Sequence, residues 1–329
     1  MKKRYSILFL LLLLLLAPGV SALTVVSTTS VLWDPIQYIG GEKVQAIYVA
    51  DPTICPHMQS DIIPNRIQMQ RDFIKNADMF VAINGSVDKS YVMPYVDDYM
   101  VANGYGNVSW ITLKNPSMIW NTPDGARNLS REVTGWLVAA DPANRTYYET
   151  RLGQYIAEIN SADITPDERK VISGQDAIVM IWQREAARDW LGLHEVTIFA
   201  PDFYEKGQFT PRAVVNDIYN NPEKYRNVDY VIENMQSSEM AKGVEEGLHD
   251  KGIPVKRVIF TNFPKSLPGV ESLPDVIRYN KNLVKPSASG GPSAQGSSPV
   301  PASTKASLEV FLLPLSIMAG AMMVTFRKR

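Results

Sequence analysis

Residues 141–159 read DPANRTYYETRLGQYIAEI. With the residues before them they form a long helical stretch from about Asp124 to Asn160, interrupted near Asp141-Pro142, where the proline cannot continue a helix. On its N-terminal side lie four short β-rich runs, at 24–29, 44–50, 79–84 and 108–114. Four more follow it, at 171–175, 196–200, 230–234 and 255–260, with helical patterns between them. Strands alternating with helices predict α/β units with parallel sheet. The expected architecture is two similar lobes, each a parallel four-stranded sheet with flanking helices, joined by one long interlobe helix. The boundaries fall at 23–140, 141–163 and 164–284. No sequence repeat relates the halves, so their likeness is one of pattern.

The whole chain has 329 residues, with Lys+Arg 33 against Asp+Glu 34 and a formal net charge of −1. That balance supplies no electrostatic pull on nucleic acid. Hydrophobic residues at 45% and charged residues at 20% describe a chain that folds. A single Cys excludes an intramolecular disulfide framework and a multi-cysteine zinc cage.

The two ends address the chain to a membrane. Residues 1–22 have the form of a secretory signal peptide: Lys2, Lys3 and Arg4, an apolar run from Ile7 to Ala17, then the small residues Val20-Ser21-Ala22. Residues 285–305 turn to Pro, Ser, Gly and Ala, the composition of a flexible stalk. Leu308 to Phe326 is mostly apolar with Glu309 its one charge, and Arg327-Lys328-Arg329 follows. Residues 306–329 therefore read as a C-terminal transmembrane anchor with its basic end in the cytoplasm. The expected location is extracytoplasmic, at the cell surface, tethered to the cytoplasmic membrane. Sequons at Asn84, Asn107, Asn128 and Asn144 agree weakly with that side.

In parallel sheets ligands bind beyond the carboxyl ends of the strands. There stand Thr53-Ile54-Cys55-Pro56-His57-Met58, Asn115-Pro116-Ser117-Met118-Ile119-Trp120, Ser173-Gly174-Gln175-Asp176, Glu233-Asn234-Met235 and Thr261-Asn262-Phe263. Each carries a potential donor atom.

Several stretches resemble the solute-binding receptors of zinc and manganese ABC importers. STTSVLWDPIQYIGGEK at 27–43 is similar to that family's first strand, helix and Gly-Gly-acid turn. PHMQSD at 56–61, with Ala77-Asp78 and Asn84-Gly85, resembles its Pro-His loop and following strand. The 141–159 stretch looks like the start of its interlobe helix, GQDA at 174–177 with Leu191-Gly192-Leu193 like its third ligand segment, and DVIRYNKNL at 275–283 like its closing helix. The resemblance implies a two-lobed receptor that closes on a metal ion. Its implied partners are an ABC permease and an ATPase on separate chains.

That family holds its metal with His, His, a His or Glu, and an Asp or Glu, two from each lobe. Carried over, the first ligand is His57. The second falls on Met118 when Ile119-Trp120 is aligned, or on Ser117 when Pro116 is. The third falls on Gln175 and the fourth on Asn262, with Glu233 the nearest other carboxylate at a strand end. Zinc prefers imidazole, thiolate or carboxylate. A set of His57, Met118, Gln175 and Asn262 offers no anionic ligand and would hold zinc or manganese weakly. Cys55, with His57 and Met58 on one loop, suits a soft cation such as Cu(I). His194 and His249 read as solvated.

The expected cargo is a transition-metal cation, zinc or manganese by resemblance. A different reading starts from Trp33, Trp120, Trp182 and Tyr204, which with Gln175, Asn262 and Arg184 would line a pocket for a metal chelate or small organic solute. Another is a surface adhesion protein that has lost transport. Catalysis is not expected: Cys55 and His57, two residues apart on one loop, seldom meet, and no GxSxG, P-loop, HExxH or GxGxxG is present.

Overall fold

Eight short runs of aliphatic and β-branched residues make two separate sheets. In the first, β1 (Leu23–Ser27), β2 (Val44–Tyr48), β3 (Met79–Ala82) and β4 (Trp110–Thr112) lie in the order β2-β1-β3-β4. In the second, β5 (Asp176–Met180), β6 (His194–Phe199), β7 (Val228–Asn234) and β8 (Lys256–Phe260) lie in the order β6-β5-β7-β8. Every pairing is parallel: Val25 lies opposite Ala46 and Met79, and Val179 opposite Ile198 and Ile232. The computed structural model describes residues 22–237 and 239–285. The signal, stalk and anchor read from the sequence lie outside them, Ala22 and Lys285 apart. Among the described residues no helix is long and apolar enough to cross a membrane.

Helices flank both sheets. The first carries α1 (Ser30–Gly40), α2 (Ile62–Met69), α3 (Arg71–Ile74), α4 (Ser86–Tyr91) and α5 (Met93–Ala102). Between the sheets run α6 (Pro123–Ala140) and α7 (Arg145–Ala162), which pack on each other. The second carries α8 (Pro166–Ile172), α9 (Pro211–Asn220), α10 (Lys242–Asp250) and α11 (Leu273–Leu283). Thr122 starts α6 by accepting the Gly125 N–H, with Pro123 at the first helical position, where its missing N–H costs nothing. Asp141 and Pro142 end it, and the Asp141 carboxylate takes the Tyr148 hydroxyl at 2.8 Å, which fixes the turn into α7.

One hydrophobic core runs through both sheets. It joins Val25 and Ile36 to Leu129 of α6, to Tyr148, Tyr155 and Ile159 of α7, and to Val179, Ile232 and Phe260. Each aliphatic or Phe side chain so buried contributes roughly 1.5–3 kcal/mol. The lobes are thus welded along the helix side and meet through polar loops at the opposite, carboxyl-end side. Asp34 of α1 crosses between them too, accepting the Tyr155 hydroxyl and the Leu273 N–H.

The fifth strand differs from its expected position. Residues 171–175 do not form it; Val171 and Ile172 finish α8, and β5 begins at Asp176. The cause is a capping box that the sequence carries. Thr165 Oγ1 accepts the Glu168 N–H at 3.2 Å, Glu168 returns its carboxylate to the Thr165 N–H at 2.9 Å, and Pro166 occupies the first turn. The helix so started consumes the Val-Ile pair. Gly174, at φ 84°, turns the chain into the strand.

Candidate functional site

Both sheets change winding direction beside their first strand, so the crevices open between β1 and β3 and between β5 and β7. In the first sheet Asp88 braces that point. Its Oδ2 accepts Thr28 Oγ1 at 3.0 Å and the N–H groups of Ile83 and Asn84 at 2.7 and 3.1 Å. Asn84 sits in the left-handed region at φ 64°.

At the second switch point stand two amides. Gln183 follows β5, Asn234 ends β7, and Gln183 Nε2 donates to Asn234 Oδ1 at 3.1 Å. The same Nε2 donates to Asn262 Oδ1 at 2.8 Å. From the first lobe Asn121 completes the group, its Nδ2 donating to Gln183 Oε1 at 2.9 Å and to Asn262 Oδ1 at 2.6 Å. Gln183, Asn121 and Asn234 are buried. Four uncharged amides therefore bond one another where the loops of the two lobes meet. Asn121 Oδ1 is buried and lacks a partner among the described residues. The Trp120 indole N–H donates to the Asn262 carbonyl at 2.7 Å, and Gln236 Nε2 donates to the Pro52 carbonyl at 3.0 Å, so the lobes are bridged on both sides of the amides.

Of the six expected donors the fold brings only Cys55 and His57 together. His57 is exposed, on a short 3₁₀ turn (Pro56–Met58), edge-on to the Tyr91 ring at 6.1 Å. Its Nδ1 faces Cys55 Sγ at 2.8 Å, so these two residues do meet, contrary to expectation, because the turn folds residue 57 back over residue 55. Burial pushes the Cys55 thiol up, which disfavours a reactive thiolate. Met118 packs half-buried against the shared core. Gln175, expected in the cleft, precedes β5 at its amino end, donates to the Val171 carbonyl and accepts the His194 N–H. Glu233 points into the second lobe, where Arg257 Nη1 at 2.9 Å and the Ala241 N–H at 2.8 Å engage it. Burial raises its carboxyl pKa, with those partners opposing. Asn262 alone of the six expected donors lies in the amide group. Among the described residues no set of three or more His, Cys, Asp or Glu is placed to hold a metal ion.

Sequence reasoning missed Asn121 and Gln183, and within the segment Glu233-Asn234-Met235 it took Glu233 where the fold uses Asn234. The one signal for Gln183 was its place directly after an apolar strand run. His194 is exposed as expected, although it lies on β6, with Asp176 at 2.7 Å.

Beside the amides, between the 119 loop and residues 181–189, opens a cavity of about 300 Å³. Of the residues expected to line a pocket, Trp182 and Arg184 line it, and Trp33, Trp120, Tyr204, Gln175 and Asn262 do not.

The profile of one family, zinc-uptake complex component A, periplasmic (ZnuA), matches residues 25–284. No curated protein sequence matches the chain. Among solved structures, the Mn-bound periplasmic metal binding protein from Candidatus Liberibacter asiaticus is similar at 14% identity and TM-score 0.59, over 80% of this chain and 98% of that one. A zinc-bound ZnuA lacking residues 138–173 is similar at 18% identity and TM-score 0.56, over 81% and 100%. ZnuA itself is similar at 17% identity and TM-score 0.57, over 80% and 100%. At such identities the structures establish the shared two-lobed fold.

Proposed function

The chain belongs to the periplasmic zinc-uptake component A family, and from that premise we propose that it is the extracytoplasmic solute-binding subunit of an ABC importer. It acts as a receptor and not as an enzyme, and hands its cargo to a permease and an ATPase on separate chains. The signal at 1–22 sends it outward, and the apolar segment at 306–329 tethers it.

The cargo departs from the bare zinc or manganese ion that the resemblance implied. The observation behind this is the amide group of Asn121, Gln183, Asn234 and Asn262. Neutral amides do not compensate a dication's charge, and four hydrogen bonds among these already engage the side-chain N–H groups of Asn121 and Gln183. A solute bringing its own donors, a chelated metal or a small organic molecule, makes no such demand. Tryptophan fluorescence of the full chain in detergent tests this. Saturable quenching by a chelate or organic solute, with none by zinc or manganese chloride, is the expected result. Saturable quenching by either free cation at micromolar concentration overturns the assignment of cargo.

A further inference from the structure

The cavity beside the amides has two kinds of wall. Ile119 from the first lobe, Ile181 and the indole of Trp182 make one side apolar. Arg184, Glu185, Arg188 and Asp189 make the other charged, with two groups of each sign. Its volume of about 300 Å³ sits at the small end of the range for ligand pockets.

The backbone around it is unusual. Residues Glu185–Trp190 form a six-residue π-helix, a rare conformation that recurs at functional sites. Trp182 is 39% exposed and stands 6.4 Å from the ring of Phe203, itself 77% exposed. Just beyond Phe203, Glu205 and Lys206 both hold positive φ, at 44° and 55°. Such strain persists where the surrounding structure over-determines it, and it collects at ligand sites.

The charges divide into engaged and available groups. Arg188 grips Asp189 through Nε and Nη2, at 2.7 and 3.0 Å. Arg184 binds Glu195 through Nε at 2.7 Å, and its two terminal nitrogens bond nothing among the described residues. Glu185 likewise forms no ion pair among them. A free guanidinium face and a free carboxylate thus sit on adjacent residues beside an exposed indole. An anion alone would meet Glu185 and Asp189; a cation alone would meet Arg184 and Arg188. A small zwitterion satisfies both.

We infer that this cavity is the seat of a small amino-carboxylate, its carboxylate on Arg184, its ammonium near Glu185 and its side chain against Trp182 and Ile119. This rests on the solute-receptor reading above and names the class of solute. Two sources share the carboxylate on Arg184 and the side chain against Trp182: the free amino acid, which adds the ammonium for Glu185, and its metal complex, whose nitrogen binds the metal and leaves Glu185 without that contact.

The test is a titration of the full chain in detergent, followed by Trp fluorescence and calorimetry. The probes are the twenty free amino acids, the zinc complex of histidine, histidine methyl ester and zinc chloride. At least one amino acid or the zinc–histidine complex binds saturably, and histidine methyl ester, which lacks the carboxylate, does not. Arg184→Gln, at a partly exposed position, weakens binding from either source by about tenfold, and Glu185→Gln, at an exposed position, weakens binding of the free amino acid by the same factor, the loss of one charge-assisted contact. Chelator abolishes binding if the cargo is the complex and leaves it unchanged if the cargo is the free amino acid. Binding unchanged in both variants overturns the seat and leaves the receptor reading standing. No binding by any amino acid or by the complex overturns the seat; saturable binding of zinc chloride in the same series overturns the cargo assignment as well.

Discussion

Asn121, in the loop after β4, donates its side-chain N–H to Asn262, in the loop after β8, at 2.6 Å, and so ties the first lobe to the second. The two residues lie 141 positions apart. Their bond stands in the region between the lobes where the zinc and manganese receptors of the resemblance would bind their ion. Cohesion between these lobes is supplied by the side chains themselves.

Asn121→Ala removes two donated hydrogen bonds and leaves Gln183 and Asn262 short of a donor. At about 0.5–1.5 kcal/mol per bond the loss is roughly 1–3 kcal/mol. The melting temperature falls by about 2–10 °C in a thermal scan. A double-mutant cycle with Asn262→Ala gives a coupling on the order of 1 kcal/mol, as expected for contacting residues. Zero coupling would show that the bond does not hold the lobes.

The buried Asp34 carboxyl is pushed up to about 7, chiefly by desolvation, with the Tyr155 hydroxyl and Leu273 N–H pulling it partly back. Unfolded, it titrates near 3.8. Between those values the folded chain keeps a proton that the unfolded chain has lost, so stability falls as pH rises from about 4 to 7. Asp34→Asn flattens this limb of a melting-temperature profile. Asp217 is held down to about 2 by Lys224, Tyr225 and Asn221. Burial tends to raise Glu168, but Lys285, Thr165 and Lys281 outweigh it and hold the group at about 2. Both groups stabilise the fold above the ordinary carboxylate range, and that contribution is lost as pH falls towards 2. The acid limb survives in Asp34→Asn.

Glu233 is 1% exposed and paired with Arg257, which also binds Glu245 at 3.0 Å. Arg257→Ala strands a buried carboxylate and costs about 3–5 kcal/mol in denaturant unfolding. Glu233→Gln costs less, because the amide still accepts from Ala241. Neither substitution changes metal content. A change would return Glu233 to the role of metal donor.

The Cys55 thiol, raised by burial, reacts slowly with iodoacetamide at neutral pH, and the rate climbs only at alkaline pH. Mass spectrometry of the single-cysteine chain follows it directly. Alkylation at pH 7 faster than that of free cysteine would mean that His57 activates the thiol.

Seven of the eight strands were legible because each is an apolar run punctuated by Gly, Pro, Asn or Asp. The fifth was misplaced because Val171-Ile172 imitates a strand, while the capping signal of Thr165 to Glu168 was passed over. That slip carried Gln175 into the expected cleft and left Gln183 out. The amide group was illegible for another reason. Its bonds span 51, 62, 79 and 141 positions, and Asn and Gln carry no local pattern that marks a shared site. Titratable and soft donors attract notice in a sequence; a neutral quartet becomes visible only when the fold closes it.

The most direct measurement is elemental analysis of the full chain in detergent after incubation with zinc or manganese chloride and gel filtration, beside His57→Ala and Asn262→Ala. The amide-filled cleft predicts no stoichiometric metal in the parent and no change in either variant. One equivalent of zinc or manganese in the parent, lost in either variant, would contradict it and restore a bare cation as the cargo.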